Sequence, residues 1–376
     1  MSTAVGPRSS TDVGVPVTSV EARAYRVPTD RPEGDGTLTW DATTLVLVQV
    51  RAADRLGTGW TYAPAATAGL VDELLAPVVS GIDALAPATA QRAMLRAVRN
   101  AGRPGLVSMA ISAVDVALWD LCARLHDVPL AQLWGAADDG VEVYGSGGFT
   151  TYDDETLRAQ LEGWTDLGLS RVKIKIGESW GTEVSRDLTR TDLARRTVGD
   201  EVDLFVDANG AYSPGRACRM GARLGALGVT WFEEPVTSDD LPGLRRVREA
   251  VAADVTAGEY GYDVPYFEQM AAAGAVDCLQ VDVTRCGGYT AWLAVSALAD
   301  AHHLDLSGHC APYLSLPAAV ATPRLRHVEW FHDHVRIGQL LFEGCADPVG
   351  GVLRGSGGPG HGLTLRTDAA ARFRVG

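Results

Sequence analysis

From Gly135 onward the sequence repeats one unit, a short β-rich run followed by an Ala/Leu/Arg-rich helical stretch. Eight runs follow one another: VEVYGS (141–146), VKIKI (172–176), DLFVDA (203–208), VTWFEE (229–234), VTAGE (255–259), CLQVDV (278–283), DLSGH (305–309) and HVEWF (327–331). Their spacing is what a strand and its returning helix occupy, so the series predicts an α/β fold built as a closed parallel barrel over residues 136–346. A doubly wound open sheet is the competing architecture.

The first third reads differently. VTSVEARAYRVPT and ATTLVLVQVRA have strand character and flank a polar stretch, DRPEGDGTLTW. SMAISAVDVALWDLCARLH carries Ile111, Val114, Val116, Leu118, Leu121 and Leu125 on a broad apolar helical face. Pro129 ends it, because a proline pushes its predecessor out of helical geometry. Residues 17–135 are therefore expected to form a small α+β domain capping the barrel, preceded by a flexible tail over 1–16. The Gly-rich segment 347–376 is expected to return and pack on that domain. Within it, Gly355, Gly357 and Gly360 match a dinucleotide-binding glycine pattern. That pattern has meaning only between a strand and a helix, whereas here Pro359 interrupts it and HGLTLR follows, so it reads as a loop.

A net charge of −14 argues against nucleic-acid or anionic-membrane surfaces as partners. No apolar run is expected to reach the roughly 20 residues of a membrane span, and the N-terminus lacks a signal-peptide core. The six cysteines are scattered singly, as expected of reduced core residues in a cytoplasmic protein.

Chemistry concentrates at the C-terminal ends of the barrel strands. Strand 2 offers Lys173 and Lys175; strands 3, 4 and 5 offer Asp207, Glu233 and Glu259; strands 6, 7 and 8 offer Asp282, His309 and Glu329. Charges in apolar strands are costly unless paired or metal-bound. Seven consecutive strands carrying one at the same end point to a site rather than to isolated ion pairs. Asp207, Glu233 and Glu259 are each one strand–helix unit apart, and three carboxylates with no imidazole or thiol among them select Mg²⁺, with Mn²⁺ as the variant. Alternation is expected to turn Glu234 away from Glu233. Two ammonium groups on one strand face, Lys173 and Lys175, are expected to lower the pKa of at least one of them. Asp282 beside His309 fixes the imidazole tautomer and makes the ring an acid–base group. The other histidines, His332 and His334 among them, read as structural.

Together, K-I-K at 173–175, D-A-N at 207–209, E-E-P at 233–235, G-E at 258–259, Asp282, His309 and Glu329 resemble the enolase superfamily in its mandelate racemase-like branch, the mandelate racemase/muconate lactonizing enzyme family. The resemblance spans most of the chain and implies a (β/α)7β barrel under an N-terminal α+β cap. It implies Asp207, Glu233 and Glu259 as Mg²⁺ ligands and Lys175 with the His309–Asp282 pair as acid–base groups. It further implies Glu329 on a substrate carboxylate oxygen, and Lys173 and Asn209 as substrate contacts. Cap loops in this family select the substrate, so Arg31, Glu33, Asp35, Trp60 and Tyr62 are the candidates for that role. The charged cap loop points to a polyhydroxylated acid.

The implied reaction is removal of the proton α to a carboxylate to give a metal-stabilised enediolate. Loss of a β-hydroxyl then makes a sugar-acid dehydratase, with racemisation of a 2-hydroxy acid and cycloisomerisation as alternatives and a non-catalytic carboxylate-binding role as the remote one. A small carboxylate is the expected partner, and the resemblance implies a homo-oligomer.

Overall fold

Three antiparallel strands open the chain in the computed structural model, which describes residues 14–136 and 140–376. They are β1 (Val17–Gly34), β2 (Thr39–Ala52) and β3 (Arg55–Tyr62). The expected tail falls largely outside the described residues, while Pro16 bridges Asp83. β2 lies in the middle of the sheet and is buried on both faces. Leu45 and Leu47 join the core shared with the barrel, whereas Val48 and Val50 pack with the cap helices. β1 runs further than the sequence predicts, through the polar stretch to Gly34, with a register break between Pro28 and Glu33. The β1–β2 tip therefore reaches over the barrel mouth.

Two main helices back this sheet, α1 (Pro87–Ala97) and α2 (Leu106–Leu125). α2 is long and apolar enough to cross a bilayer, contrary to the expectation that no run approaches that length. Its burial has another cause, since it lies between the cap sheet and the barrel. Its polar residues bond across that boundary: Asp115 accepts from the Thr290 N–H at 2.9 Å and hydroxyl at 2.6 Å, and the Ser112 hydroxyl accepts from the Gly287 N–H at 2.9 Å. β3 approaches α2 so closely that a Cβ on Gly57 or Gly59 would strike the carbonyls of Ala117 and Ala113. Gly59→Ala is therefore expected to cost about 1–3 kcal/mol through overpacking. The measurement is the urea midpoint at constant m-value, and an unchanged midpoint would show that α2 can move back.

The barrel strands are β4 (Gly140–Gly147), β5 (Arg171–Lys175), β6 (Asp203–Asp207), β7 (Val229–Glu233), β8 (Asp254–Ala257), β9 (Cys278–Val281), β10 (Asp305–Gly308) and β11 (Leu325–Phe331). All neighbours pair in parallel, and β11 closes on β4 through Val328↔Val143 to Phe331↔Ser146. The helices between them, α3 (Asp154–Asp166), α4 (Val184–Val198), α5 (Pro214–Gly225), α6 (Leu241–Arg248), α7 (Val264–Ala272), α8 (Gly288–Ala301) and α9 (Pro312–Ala319), form the outer layer. Seven strand–helix units and a closing strand make a (β/α)7β barrel. After it, Val352–Arg354 pairs antiparallel with β4, and Arg374–Val375 joins the cap sheet beside Ala24 and Tyr25. All six cysteines are free.

Inside the barrel, Tyr144, Phe205 and Trp231 form an aromatic layer lower in the strands. It packs the interior beneath the charged strand ends.

Candidate active site

Strand register aligns the first half of the site directly. Lys175 is the partner of Asp207, and Asp207 the partner of Glu233, across β5, β6 and β7. Glu259 follows two residues after β8. One oxygen from each of Asp207, Glu233 and Glu259 lies within 4.8 Å of the other two, and all three side chains are buried. Buried carboxylates this close are stable only when counter-charged, and an all-oxygen donor set of this kind fits Mg²⁺.

Part of that counter-charge comes from the lysines. The Lys173 ammonium, fully buried, lies 2.6 Å from Glu233 Oε1, 2.8 Å from Glu329 Oε1 and 3.9 Å from Asp207 Oδ2. Lys175 donates to Asp207 Oδ2 at 2.5 Å. The expected lowering of a lysine pKa is overturned. Burial disfavours both ammonium groups, yet the carboxylates outweigh burial and their mutual repulsion, and both are pushed up. Burial raises Glu233 to about 7 even beside Lys173.

On the opposite side, His309 Nδ1 lies 2.8 Å from Asp282 Oδ2. Asp282 Oδ1 accepts the N–H and hydroxyl of Thr284, both at 2.7 Å, which holds the carboxylate still. With Nδ1 donating to Asp282, Nε2 faces inward, 3.2 Å from Glu259 Oε2 and 3.6 Å from Glu329 Oε2. Burial opposes charge on the ring, but the field of Cys310, Glu259 and Glu329 and the bond to Asp282 lift its pKa well up. Glu329 is itself pinned by the Ser146 hydroxyl at 2.6 Å and the Cys310 N–H at 2.8 Å.

A cavity of about 290 Å³ opens above these groups, bordered by Lys175, Asn209, Glu259 and His309 below and by Asp35, Trp40 and Tyr62 of the cap above. Lys173 does not border it; in this arrangement it is a buried counter-ion. Asn209 sits at the mouth with φ 43°, and its N–H donates to Asp207 Oδ1 at 2.8 Å.

The cap candidates divide. Tyr62 borders the cavity and stacks on His334 with centroids 3.5 Å apart, which gives His334 a place the sequence reading missed. Asp35 borders it too, but its Oδ1 is consumed by the N–H groups of Thr37 and Leu38 and the Thr37 hydroxyl. Trp60 is not at the cavity. It shares a strand face with Tyr62 but lies two residues further from the mouth, stacked on Phe342 and buried. Arg31 is exposed and bonds Thr156 at 3.3 Å. Glu33 is buried away from the cavity, accepting from Trp40 Nε1 at 2.8 Å, and burial followed by the Asp333 charge pushes its pKa to about 8.

Two further residues escaped the sequence. Arg285 bonds Glu259 Oε1 at 3.2 Å and lies 3.4 Å from Asp282 Oδ2, joining metal-side and histidine-side carboxylates. Its signal was its position three residues after Asp282. Glu234, expected only to turn away from Glu233, was not foreseen as a residue of the mouth. β7 ends at Glu233, Glu234 adopts φ 37°, and its side chain is buried at the mouth with Oε1 unpartnered.

Comparison with known proteins agrees with this geometry. Residues 156–369 match the enolase C-terminal domain-like family, and residues 19–135 match the mandelate racemase/muconate lactonizing enzyme N-terminal domain. A mandelate racemase/muconate lactonizing enzyme-like protein from Rubrobacter xylanophilus is 44% identical, superposes with a TM-score of 0.93 and matches over 96% of this chain and all of that one. The 3,6-anhydro-α-L-galactonate cycloisomerase of Streptomyces coelicolor is 30% identical over 88% of this chain and 92% of its own. The L-talarate/galactarate dehydratase of Salmonella typhimurium is 26% identical with a TM-score of 0.90 over 100% and 96% of the two chains, and a mutant L-talarate/galactarate dehydratase, solved liganded with Mg and L-glucarate, matches equally well. With both domains matched in order and the strand-end residues in place, the chain belongs to the mandelate racemase/muconate lactonizing enzyme family of the enolase superfamily.

Proposed function

We propose that this protein is a Mg²⁺-dependent enzyme that removes the proton α to the carboxylate of a sugar acid and expels a β-hydroxyl as water, giving a 2-keto-3-deoxy acid. The observation that carries the reading is that Lys175 and His309 border one cavity from opposite ends of the Asp207–Glu233–Glu259 cluster. A substrate carboxylate anchored at that cluster presents its α-carbon between them. When bound, Mg²⁺ supplies positive charge against the oxyanion developing on that carboxylate and competes with Lys175 for Asp207.

With Asp207 engaged by the metal, Lys175 would lose the counter-charge that holds its ammonium, give up a proton and, as the neutral amine, take the α-proton. His309, held through Nδ1 by Asp282 with Nε2 facing the cavity, gives an Nε2 proton to the departing β-hydroxyl; the C–O bond breaks, water leaves, and the enol becomes the ketone. Asp282 and Thr284 hold the imidazole in place. Glu329, held as a carboxylate by Lys173, the Ser146 hydroxyl and the Cys310 N–H, has no proton to give a substrate carboxylate as the resemblance implied; it would instead act as the charge 3.6 Å from His309 Nε2, and Asn209 is set to contact the substrate at the mouth. The dehydratase relative and the presence of Lys175 and the His309–Asp282 pair at the cavity support this reading over a purely binding role that keeps the metal, which needs neither base.

The test is incubation of the Mg²⁺-loaded protein with a panel of aldonic and aldaric acids in D₂O. Formation of a 2-keto acid is expected for at least one. Exchange at the α-carbon without any change of connectivity identifies a racemase, and a product of changed connectivity that has lost no water identifies a cycloisomerase. Absence of both exchange and product across the panel would sink the catalytic reading.

A further inference from the structure

A second cavity, about 720 Å³, adjoins the one above the acid–base pair and shares Leu38, Asn209 and Tyr260 with it. The proposed chemistry uses none of its outer wall. That wall collects three of the large apolar side chains the fold leaves exposed: Leu38 and Trp180, each 65% exposed, and Tyr260 at 42%. Large exposed apolar groups gathered at a cleft mark a binding surface.

Trp180 is placed there at a conformational cost. Ser179 and Trp180 are consecutive left-handed residues, φ 55° and 57°, a conformation side chains disfavour, and such strain gathers at functional sites. The loop is held against the cap by the Trp180 N–H, which donates to the Gly36 carbonyl at 2.9 Å, where Gly36 packs so tightly on Gly177 that no Cβ fits. The inner wall is polar. Glu234 Oε1 and Asn209 Oδ1 are buried without a hydrogen-bond partner, and Ser238 and Gln269 stand beside the same space. Buried polar atoms left unpaired are costly, so their partners come with an occupant.

An aromatic face opposite unpaired acceptors suits a group with an apolar C–H face and hydroxyl edges. An aryl or acyl tail would leave those acceptors unsatisfied. We propose that this cavity is a subsite for a sugar ring, and that the substrate class is a glycosyl-substituted aldonic acid whose acid end reaches Lys175 and His309. The assignment rests on the sugar-acid reading for the reacting end and adds a recognition site for the distal end.

The experiment titrates Mg²⁺-loaded protein calorimetrically with lactobionic, maltobionic and cellobionic acids against galactonic and gluconic acids, and measures turnover of each. At least one glycosyl acid is expected to bind about tenfold tighter than its parent acid, the size of one aromatic contact. In Trp180→Ala that advantage collapses to within twofold, with the loss in KM rather than kcat, while Trp180→Phe keeps most of it. Because Trp180 is largely exposed, Trp180→Ala is expected to melt like the wild type. Equal binding of glycosyl and parent acids overturns the subsite, as does an advantage that survives Trp180→Ala. Tighter binding of an aryl-substituted aldonic acid than of any glycosyl acid overturns its assignment to a sugar. If no acid is dehydrated but the Trp180-dependent binding advantage is present, the reaction assignment fails and the subsite stands.

Discussion

Lys175→Met is expected to lower dehydration by about 10²–10⁴-fold and to abolish deuterium uptake at the α-carbon, while Mg²⁺ binding survives. The expectation follows from where the ammonium lies. It borders the cavity and touches one carboxylate oxygen of the metal cluster, Asp207 Oδ2, whereas the cluster's other oxygens are held by other partners. Removing it takes away the group placed to receive the α-proton but none of the three oxygen donors. His309→Asn provides the contrast. It removes the acid that delivers a proton to the leaving hydroxyl, so dehydration is lost, but Lys175 is still present and α-exchange in D₂O continues. Rapid-quench mass spectrometry of recovered substrate separates the two. The reverse pattern, exchange retained in Lys175→Met and lost in His309→Asn, would assign the base to the histidine.

That these two residues frame the site was legible in the sequence because strand ends are easy to read. Seven of the eight barrel runs carry an ionisable residue at or near the C-terminal end, and the structure places all eight runs on strands with ends shifted by at most a couple of residues. A metal site spread over neighbouring strands inherits that legibility, since parallel register fixes which ends meet. What the sequence hid was decided by backbone beyond the strands. Glu234 gave no sign of its place at the mouth because β7 ends before it and the chain there turns left-handed. Asp35 looked available for substrate, but three donors of its own turn take its oxygen. Trp60 and Tyr62 share a face, and only the tilt of the cap over the barrel decides that one reaches the cavity while the other packs on Phe342. The lysine pair misled for an electrostatic reason: two like charges were visible side by side, but the four carboxylates around them come from other strands and carry the larger field.

The same field makes Lys173 the residue whose loss is expected to cost the most stability. Its ammonium is fully buried and neutralises Glu233 and Glu329 at hydrogen-bond distance with Asp207 just beyond. Removing one partner of a buried ion pair leaves uncompensated charge and costs about 3–5 kcal/mol. Lys173→Met keeps a chain of similar volume, so the loss measured is that of the charge. The pH dependence carries the signature. Burial opposes ionisation of Glu329, but Lys173 and His309 outweigh it and hold its pKa well below the ordinary value. A carboxylate depressed in the folded state contributes stability above its unfolded pKa, about 4.5, and loses it as pH falls through the folded value. Lys173, raised in the folded state, contributes fully everywhere below its unfolded pKa, so it does not blur the acid limb. Without Lys173, Glu329 and Glu233 escape their repulsion by binding protons, and the penalty shrinks as the solution is acidified. Urea unfolding at pH 7.5 and pH 5 is expected to show a large gap between Lys173→Met and the wild type at the higher pH and a smaller one at the lower. A difference under about 0.5 kcal/mol at pH 7.5 would mean that the carboxylates already share protons in the folded protein and that Lys173 is not their counter-charge.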